Sequence, residues 1–340
     1  MGLKQSAVTI QDVARAAGVS VSTASRVLNN KDDVSPETFE KVRRVMQEMN
    51  YVASLAAKSM RSRATNVIGL LVPQVTDIFY QQIIHGVGLG IRDSGYDLMI
   101  YTAERPGLSK SESWEQEHVA LLSNGLTDGC IVVTPMAPTF PDGSRVVVVD
   151  PQGDGANVPS IVTPNREGAL EGMRYLIALG HRRVGFISGH YAALSSVRRS
   201  EAYRDALAEA GLPYLPDLVR SGDFTRERGY AAALELLRLP EPPTAIFAAN
   251  DKSAIGALDA ARDLGLVVPR DLSILGFDNI PEAAQVAPKL TTVDQAIQEM
   301  GTLAIQLLFS LLKGEDLAES RVLVPTQLIR RDSCQPPRDS

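Results

Sequence analysis

Two constellations of side chains in this chain of 340 residues could do chemistry. The first lies near the N-terminus, where Ser20, Val21, Ser22, Thr23, Ser25 and Arg26 follow Gly18-Val19. A guanidinium can donate two parallel hydrogen bonds to a guanine edge, and a valine can meet a thymine methyl. Hydroxyls and helix N-terminal N–H groups can hold phosphate oxygens. The second constellation is scattered over segments 73–80, 150–152, 189–199, 250–251 and 277–279, each following a short apolar run. Together they carry aromatics, carboxylates, an amide and guanidinium groups. That mixture suits a polyhydroxyl ligand, with apolar ring faces on Phe or Tyr and hydroxyls bridged by Asp, Asn and Arg.

The first constellation needs short helices to present it. Thr9 with Asp12 is a capping signature, and Ile10, Val13, Ala14 and Ala17 follow at helical spacing. Gly18 is a left-handed stop. Ser20 can cap a second helix through Leu28. Ser35-Pro36-Glu37 starts a third, with Phe39, Val42, Val45 or Met46, and Met49 as its buried stripe and Asn50 as its stop. Ala14 and Ala24 are small where helices cross, and Val19 and Val27 can fill the space between. Val21, Ser22, Ser25 and Arg26 then face outward. This is a helix-turn-helix arrangement. The same spacing also fits a small three-helix bundle with a surface arginine.

The second constellation needs a different scaffold. From Asn66 onward, apolar runs at 67–72, 96–102, 129–134, 146–149, 184–188, 245–249 and 272–276 alternate with helical patterns. The helical stretches include 80–93, 112–123, 166–179, 197–210, 226–238 and 252–264. Such alternation predicts an α/β body of parallel, doubly wound sheets with helices on both faces. Its length predicts two lobes, with a break near 160–165 and the last strands and helix crossing back near 290 and 320. Segment 54–65, SLAAKSMRSRAT, reads as a basic linker that becomes helical when held, with Ser54 as cap.

Charge separates the same parts. Residues 1–63 carry ten Lys/Arg against six Asp/Glu, a net +4, which leaves −10 on the rest of a chain totalling −6. A basic head on an acidic body can attract phosphate while the body stays off non-target DNA. The two cysteines, Cys130 and Cys334, suggest neither a disulfide framework nor a metal site. No signal region or membrane span is read, which points to the cytoplasm; a loose N-myristoylation match over 1–6 is set aside as chance. Gly86-Val87-Gly88-Leu89-Gly90 lies inside a helical pattern, unlike a dinucleotide loop. Gly180-His181 follows a helix end, where a cation suits the dipole. No nucleophile motif, metal spacing or phosphate loop appears, so no catalytic residue, metal or cofactor is expected.

The stretch VTIQDVARAAGVSVSTASRVLNNKDDVSPETFEKVRRVMQEMNY resembles the headpiece of the lac repressor family. The likeness runs through the linker into NVIGLLVP. It recurs in ALGHRRVGFISG, AIFAANDKSAIGAL, DLSILGFDN, PKLTTV and VPTQLIRRDS. It implies an all-α helix-turn-helix headpiece over 1–53, a hinge over 54–65, and a two-lobed periplasmic-binding-protein-like body over 66–335. It implies that Val21, Ser22 and Arg26 read bases, while Thr9, Ser20, Thr23, Ser25, Asn29 and Tyr51 position the backbone. In the family the hinge folds on the operator, and a leucine wedges into the minor groove beside a small residue. Those positions are Met60 and Ala57 here, and the usual Pro-Asn before the hinge is Ala53-Ser54. The likeness places effector contacts at Phe79, Tyr80, Asp150, Ser195, Arg199, Phe224, Asn250, Asp278 and Gln295.

The expected function is a homodimeric (or larger) repressor, or less often an activator. It would bind a near-palindromic operator under allosteric control by a small effector, with a sugar favoured. A purine- or sugar-phosphate-responsive regulator of the same family is the alternative. A solute-binding transport protein fits the body alone, and an enzyme lacks a catalytic constellation.

Overall fold

The computed structural model describes residues 8–28, 31, 33–51, 64–102, 111–153, 155–317 and 319–338. The chain divides into two compact units, Met1–Thr65 and Asn66–Ser340.

The described residues of the first unit form three helices, α1 (Ile10–Ala17), α2 (Val21–Leu28) and α3 (Pro36–Glu48). Thr9 and Asp12 form a reciprocal capping box, with the Thr9 N–H donating to the Asp12 carboxylate at 3.0 Å. Gly18 ends α1 at φ 64°, a conformation in which a Cβ would clash with the backbone. The Ser20 hydroxyl accepts from the N–H of Thr23 at 3.1 Å at the head of α2. Ser35 caps α3 ahead of Pro36. Val13, Ala14, Ala17, Ala24, Val27, Val42 and Met46 are the buried core, with Phe39, Val45 and Met49 packed at its edge. Asn50 takes φ 48° after α3.

The second unit contains two six-stranded sheets. In chain order the strands are β1 (Val67–Val72), β2 (Asp97–Thr102), β3 (Gly129–Val133), β4 (Val146–Val149), β5 (Ser160–Val162), β6 (Val184–Ser188), β7 (Val219–Ser221), β8 (Ala245–Ala248), β9 (Ser273–Asp278), β10 (Thr291–Asp294), β11 (Arg321–Leu323) and β12 (Gln327–Ile329). The helices are α4 (Ile78–Ile91), α5 (Glu112–Ser123), α6 (Asn165–Ala178), α7 (Leu194–Glu209), α8 (Arg226–Leu237), α9 (Asp251–Asp263) and α10 (Ile297–Lys313).

The first sheet runs β11-β5-β4-β3-β1-β2 and the second β12-β10-β9-β8-β6-β7. Among the described residues, all ladders are parallel except β10 with β12. The wholly parallel expectation is therefore corrected at one edge, where β12 returns directly beside β10. Core clusters lie on both faces of each sheet: α4 and α10 pack one face of the first and α5 the other, while α6 with α7 and α8 with α9 sandwich the second. The chain passes between lobes after β5, between β10 and α10, and between β11 and β12. Each sheet has a switch point, between β1 and β3 in one and between β6 and β8 in the other. Ligands of open α/β sheets bind beyond the C-terminal strand ends at such points.

Two short motifs find structural explanations. Gly86 and Gly301 let α4 and α10 touch backbone to backbone; a Cβ at Gly86 would overlap the carbonyl oxygen of Gln298. The glycine run is a helix contact. His181 corrects the expectation of a dipole-stabilised cation. Its ring is buried, with Nδ1 2.9 Å from Thr244 Oγ1 and Nε2 3.1 Å from Ser273 Oγ and 3.0 Å from the Gln335 carbonyl oxygen. Burial lowers its pKa, so the ring is a neutral cross-link to the C-terminal segment. Among the described residues, no helix is long and apolar enough to cross a membrane.

Candidate nucleic-acid interface and ligand cleft

The α1–α2 corner presents one face of α2 to solvent. Val21, Ser22 and Arg26 are exposed there, and Thr23 and Ser25 are half-buried. Ala24 and Val27 point the other way into the core, because residues three apart lie on one helix face. Ser20 Oγ lies 2.7 Å from Ser22 Oγ and 2.8 Å from Thr23 Oγ1, a hydroxyl cluster at the head of the helix. The Arg26 guanidinium lies 3.4 Å from the Asp33 carboxylate, with both side chains more than half exposed. Thr9 is engaged in its capping box, and Tyr51 packs against the core. Asn29, Ala57 and Met60 lie outside the described residues, as does the linker over 52–63.

In the second unit, the strand ends at both switch points enclose a cavity of about 490 Å³. Phe79, Tyr80, Asp150, Ser195, Arg199, Phe224, Asn250, Asp278 and Gln295 all line it. The first three come from the β1 and β4 ends of one lobe. The others come from the second lobe and from the crossover after β10. Phe79 and Tyr80 meet edge to face, with centroids 5.3 Å apart. The Tyr80 hydroxyl lies 3.4 Å from Thr134 Oγ1, and burial pushes its pKa up to about 12.

Arg199, not its half-buried neighbour Arg198, turns inward and is only 3% exposed. Its Nε and Nη2 donate to Asn165 Oδ1 at 2.9 and 2.8 Å, and its Nη1 donates to the Ala249 carbonyl oxygen and to Asp278 Oδ1. The guanidinium carbon sits 3.6 Å from the Phe277 ring centroid, an added cation–π contact. Gln295 Nε2 also donates to Asp278 Oδ1, at 2.6 Å. Burial nevertheless pushes Asp278 up to about 7, with Arg199 pulling the other way. Asp150 is likewise raised by burial against the pull of Arg199.

Asn250 serves the site and the fold together. Its Oδ1 accepts from Ser253 N at 3.0 Å, capping α9, and its Nδ2 donates to the Phe224 carbonyl oxygen at 3.0 Å. Phe224 takes φ 59°, and its ring lies over Gly189, where a Cβ would collide with it. Thr134, Asp150, Asp223 and Asp278 also line the cavity with positive φ. Backbone strain concentrated at one cavity marks a binding region.

The N-terminal segment 9–54 matches the model described as bacterial regulatory proteins, lacI family, and segment 173–334 matches the periplasmic binding protein-like domain. Catabolite control protein A of Priestia megaterium is 32% identical over 96% of this chain and 99% of its own length. The chain belongs to the lacI family of bacterial regulatory proteins. Other lacI-family relatives include the HTH-type transcriptional repressor PurR of Vibrio atlanticus, 31% identical over 91% of this chain and 93% of that protein. Among solved structures, a lac repressor dimer bound to operator and the anti-inducer ONPF superposes with a TM-score of 0.81 at 26% identity. It covers 97% of this chain and 100% of its own. A complex of the transcriptional regulator CelR with cellobiose gives 0.70 at 32% identity, over 96% and 99%.

As a lacI-family member this chain is a DNA-binding transcriptional regulator. Its cavity also includes residues that the family likeness did not single out. Asp77 and Lys252 form an ion pair of 2.9 Å between the heads of α4 and α9. Gln152 Oε1 accepts from Leu194 N at 2.8 Å, linking the loop after β4 to the head of α7. Met136 enters because Glu115 of α5 accepts from the N–H groups of Met136 and Ala137 at 2.8 and 2.7 Å. His190 lies on the loop after β6. Asp77, Gln152 and His190 fall within the strand-end segments read from the sequence. Lys252 and Glu115 give no local signal.

Proposed function

We propose that this chain is a repressor that binds a near-palindromic operator as a homodimer, through headpieces over 1–53 and hinges over 54–65. The body over 66–335 responds to an uncharged, hydroxyl-rich effector, a sugar, and performs no chemistry on it. The protein acts in the cytoplasm, where the operator lies. Val21, Ser22 and Arg26 read bases, and Thr9, Ser20, Thr23, Ser25, Asn29 and Tyr51 set the headpiece on the phosphate backbone. Ala57 and Met60 enter the minor groove.

The observation that carries the effector class is the charge state of the cleft wall. Among the described residues, Asp77, Asp150, Asp223 and Asp278 line it, and the two permanent cations there, Arg199 and Lys252, are already engaged by carboxylates. Among these described residues a phosphate or carboxylate ligand would meet acids and no unengaged cation. A neutral polyol instead finds acceptors for its hydroxyls at Asp150 and Asp278, and apolar walls at Phe79, Tyr80 and Phe224. A cavity of about 490 Å³ has room for more than one sugar ring. The CelR–cellobiose complex supports the same class.

A neutral purine is the second reading. Aromatic walls also suit a base, and the PurR relatives favour it. A thermal-shift panel of neutral mono- and disaccharides, sugar phosphates and purines separates the readings. A neutral sugar should raise the melting temperature and alter an operator gel shift. Stabilisation by sugar phosphates or purines alone overturns the neutral-sugar assignment.

A further inference from the structure

Asp77 and Lys252 sit at the heads of two helices from different lobes. Asp77 is the N-cap of α4, and Lys252 is the second residue of α9. A carboxylate belongs at a helix N-terminus, where it meets unpaired N–H groups and the positive end of the dipole. A lysine in the first turn is misplaced by the same argument. Nothing within α9 explains Lys252. The partner that does is Asp77, 175 residues away in sequence and across the cleft.

The two oxygens of Asp77 divide the work. Oδ1 accepts from Phe79 N at 2.9 Å and fixes the start of α4, while Oδ2 accepts from Lys252 Nζ at 2.9 Å and reaches the other lobe. Both side chains line the cavity and keep some contact with solvent, at 32% for Lys252 and 20% for Asp77. A pair exposed to that degree is strong enough to bias two positions of the lobes and weak enough to be screened by salt.

We propose that Asp77 and Lys252 are a positioning pair, an electrostatic latch that holds the two lobes together at the rim of the cleft and sets their separation independently of any effector. The latch also fixes Phe79, because the carboxylate that reaches Lys252 caps the helix carrying that ring. The consequence for effector response rests on the ligand reading above, since an effector that changes lobe separation must work with or against this pair. The latch itself does not rest on that reading.

The test is a spin-label distance measurement on the full chain without effector. Labels go on Glu117→Cys of α5 and Ala208→Cys of α7, both exposed and one in each lobe, with Cys334→Ala and with Cys130 left buried. Excess unlabelled protein dilutes the labelled chains, so that only distances within one chain contribute. Latched protein should give a narrow distribution at low salt that shifts to longer distances in molar salt. Asp77→Asn, which keeps the capping oxygen, and Lys252→Gln should each give the longer distribution at low salt and lose the salt dependence. The double variant should match either single one. Distributions in both single variants that superimpose on wild type, or that retain its salt response, overturn the latch. Because no effector is added, that failure would leave the assignment of the cleft untouched.

Discussion

The side-chain amide of Asn250 donates to the carbonyl oxygen of Phe224 at 3.0 Å while its oxygen caps α9. One residue thus ties an element of the second lobe to the strained backbone that aims an aromatic ring into the cleft. Asn250→Ala should lose the cap, costing about 0.5–2 kcal/mol. Asn250→Asp keeps an acceptor for Ser253 N and removes the donor to Phe224. Calorimetry should therefore find the Asp variant closer to wild type in melting temperature than the Ala variant, yet weakened in binding the effector found by the ligand panel. Wild-type affinity in the Asp variant would refute the link.

Asp278 gives the cleft a pH dependence. Burial raises its carboxyl to about 7, so the native state holds a proton that the unfolded chain has released. The sign follows: this group's stabilisation is complete below its ordinary acidic range and fades as pH rises toward 7. The ionised carboxylate is the stronger acceptor for a ligand hydroxyl. Sugar affinity should thus rise as pH increases from about pH 6 to about pH 8, as the ionised fraction grows. Titration calorimetry across that range checks it, and Asp278→Asn should bind more weakly with the slope gone.

Arg26 should carry most of the base discrimination, because Val21 and Ser22 beside it offer one methyl contact and one hydroxyl. Arg26→Ala should cost about 1–3 kcal/mol on an operator selected from random duplexes, and relax preference at the contacted guanine. Asp33 is the exposed partner of Arg26 at 3.4 Å. Asp33→Asn should strengthen binding modestly by releasing the guanidinium and removing an acid near phosphate. Unchanged base preference in the Arg26 variant, read by gel shift, would displace it from the major groove.

His181 predicts a second pH effect, of opposite sign to that of Asp278. Its pKa is lowered by burial, so its stabilisation is present above the ordinary histidine value and is lost as pH falls through the lowered one. The melting temperature should drop between about pH 7 and about pH 5, with a smaller drop in His181→Asn, whose amide can retain some of the bonds. Equal slopes in the two proteins would argue against a neutral ring.

Long periodic segments were legible from sequence. The three headpiece helices, with caps at Thr9, Ser20 and Ser35, and the runs over 67–72, 146–149 and 184–188 coincide with observed elements. The short strands β5, β7, β11 and β12 did not announce themselves, since three residues are too few to show a period. The family likeness brought nine scattered residues to one cavity without revealing how they are held. It could not tell that Asn165, Ala249 and Asp278 hold Arg199, or that Asn250 holds Phe224.

The order of residues alone settles what each short stretch can become. Caps, glycine stops and apolar periods act over a few neighbours, so the headpiece helices and the strand–helix alternation follow from them. The inward turn of Arg199 rather than Arg198, the neutral state of His181 and the pairing of Asp77 with Lys252 depend on groups brought together from far along the chain. Burial and electrostatic pairing act through space, and only the packed sheets set those distances.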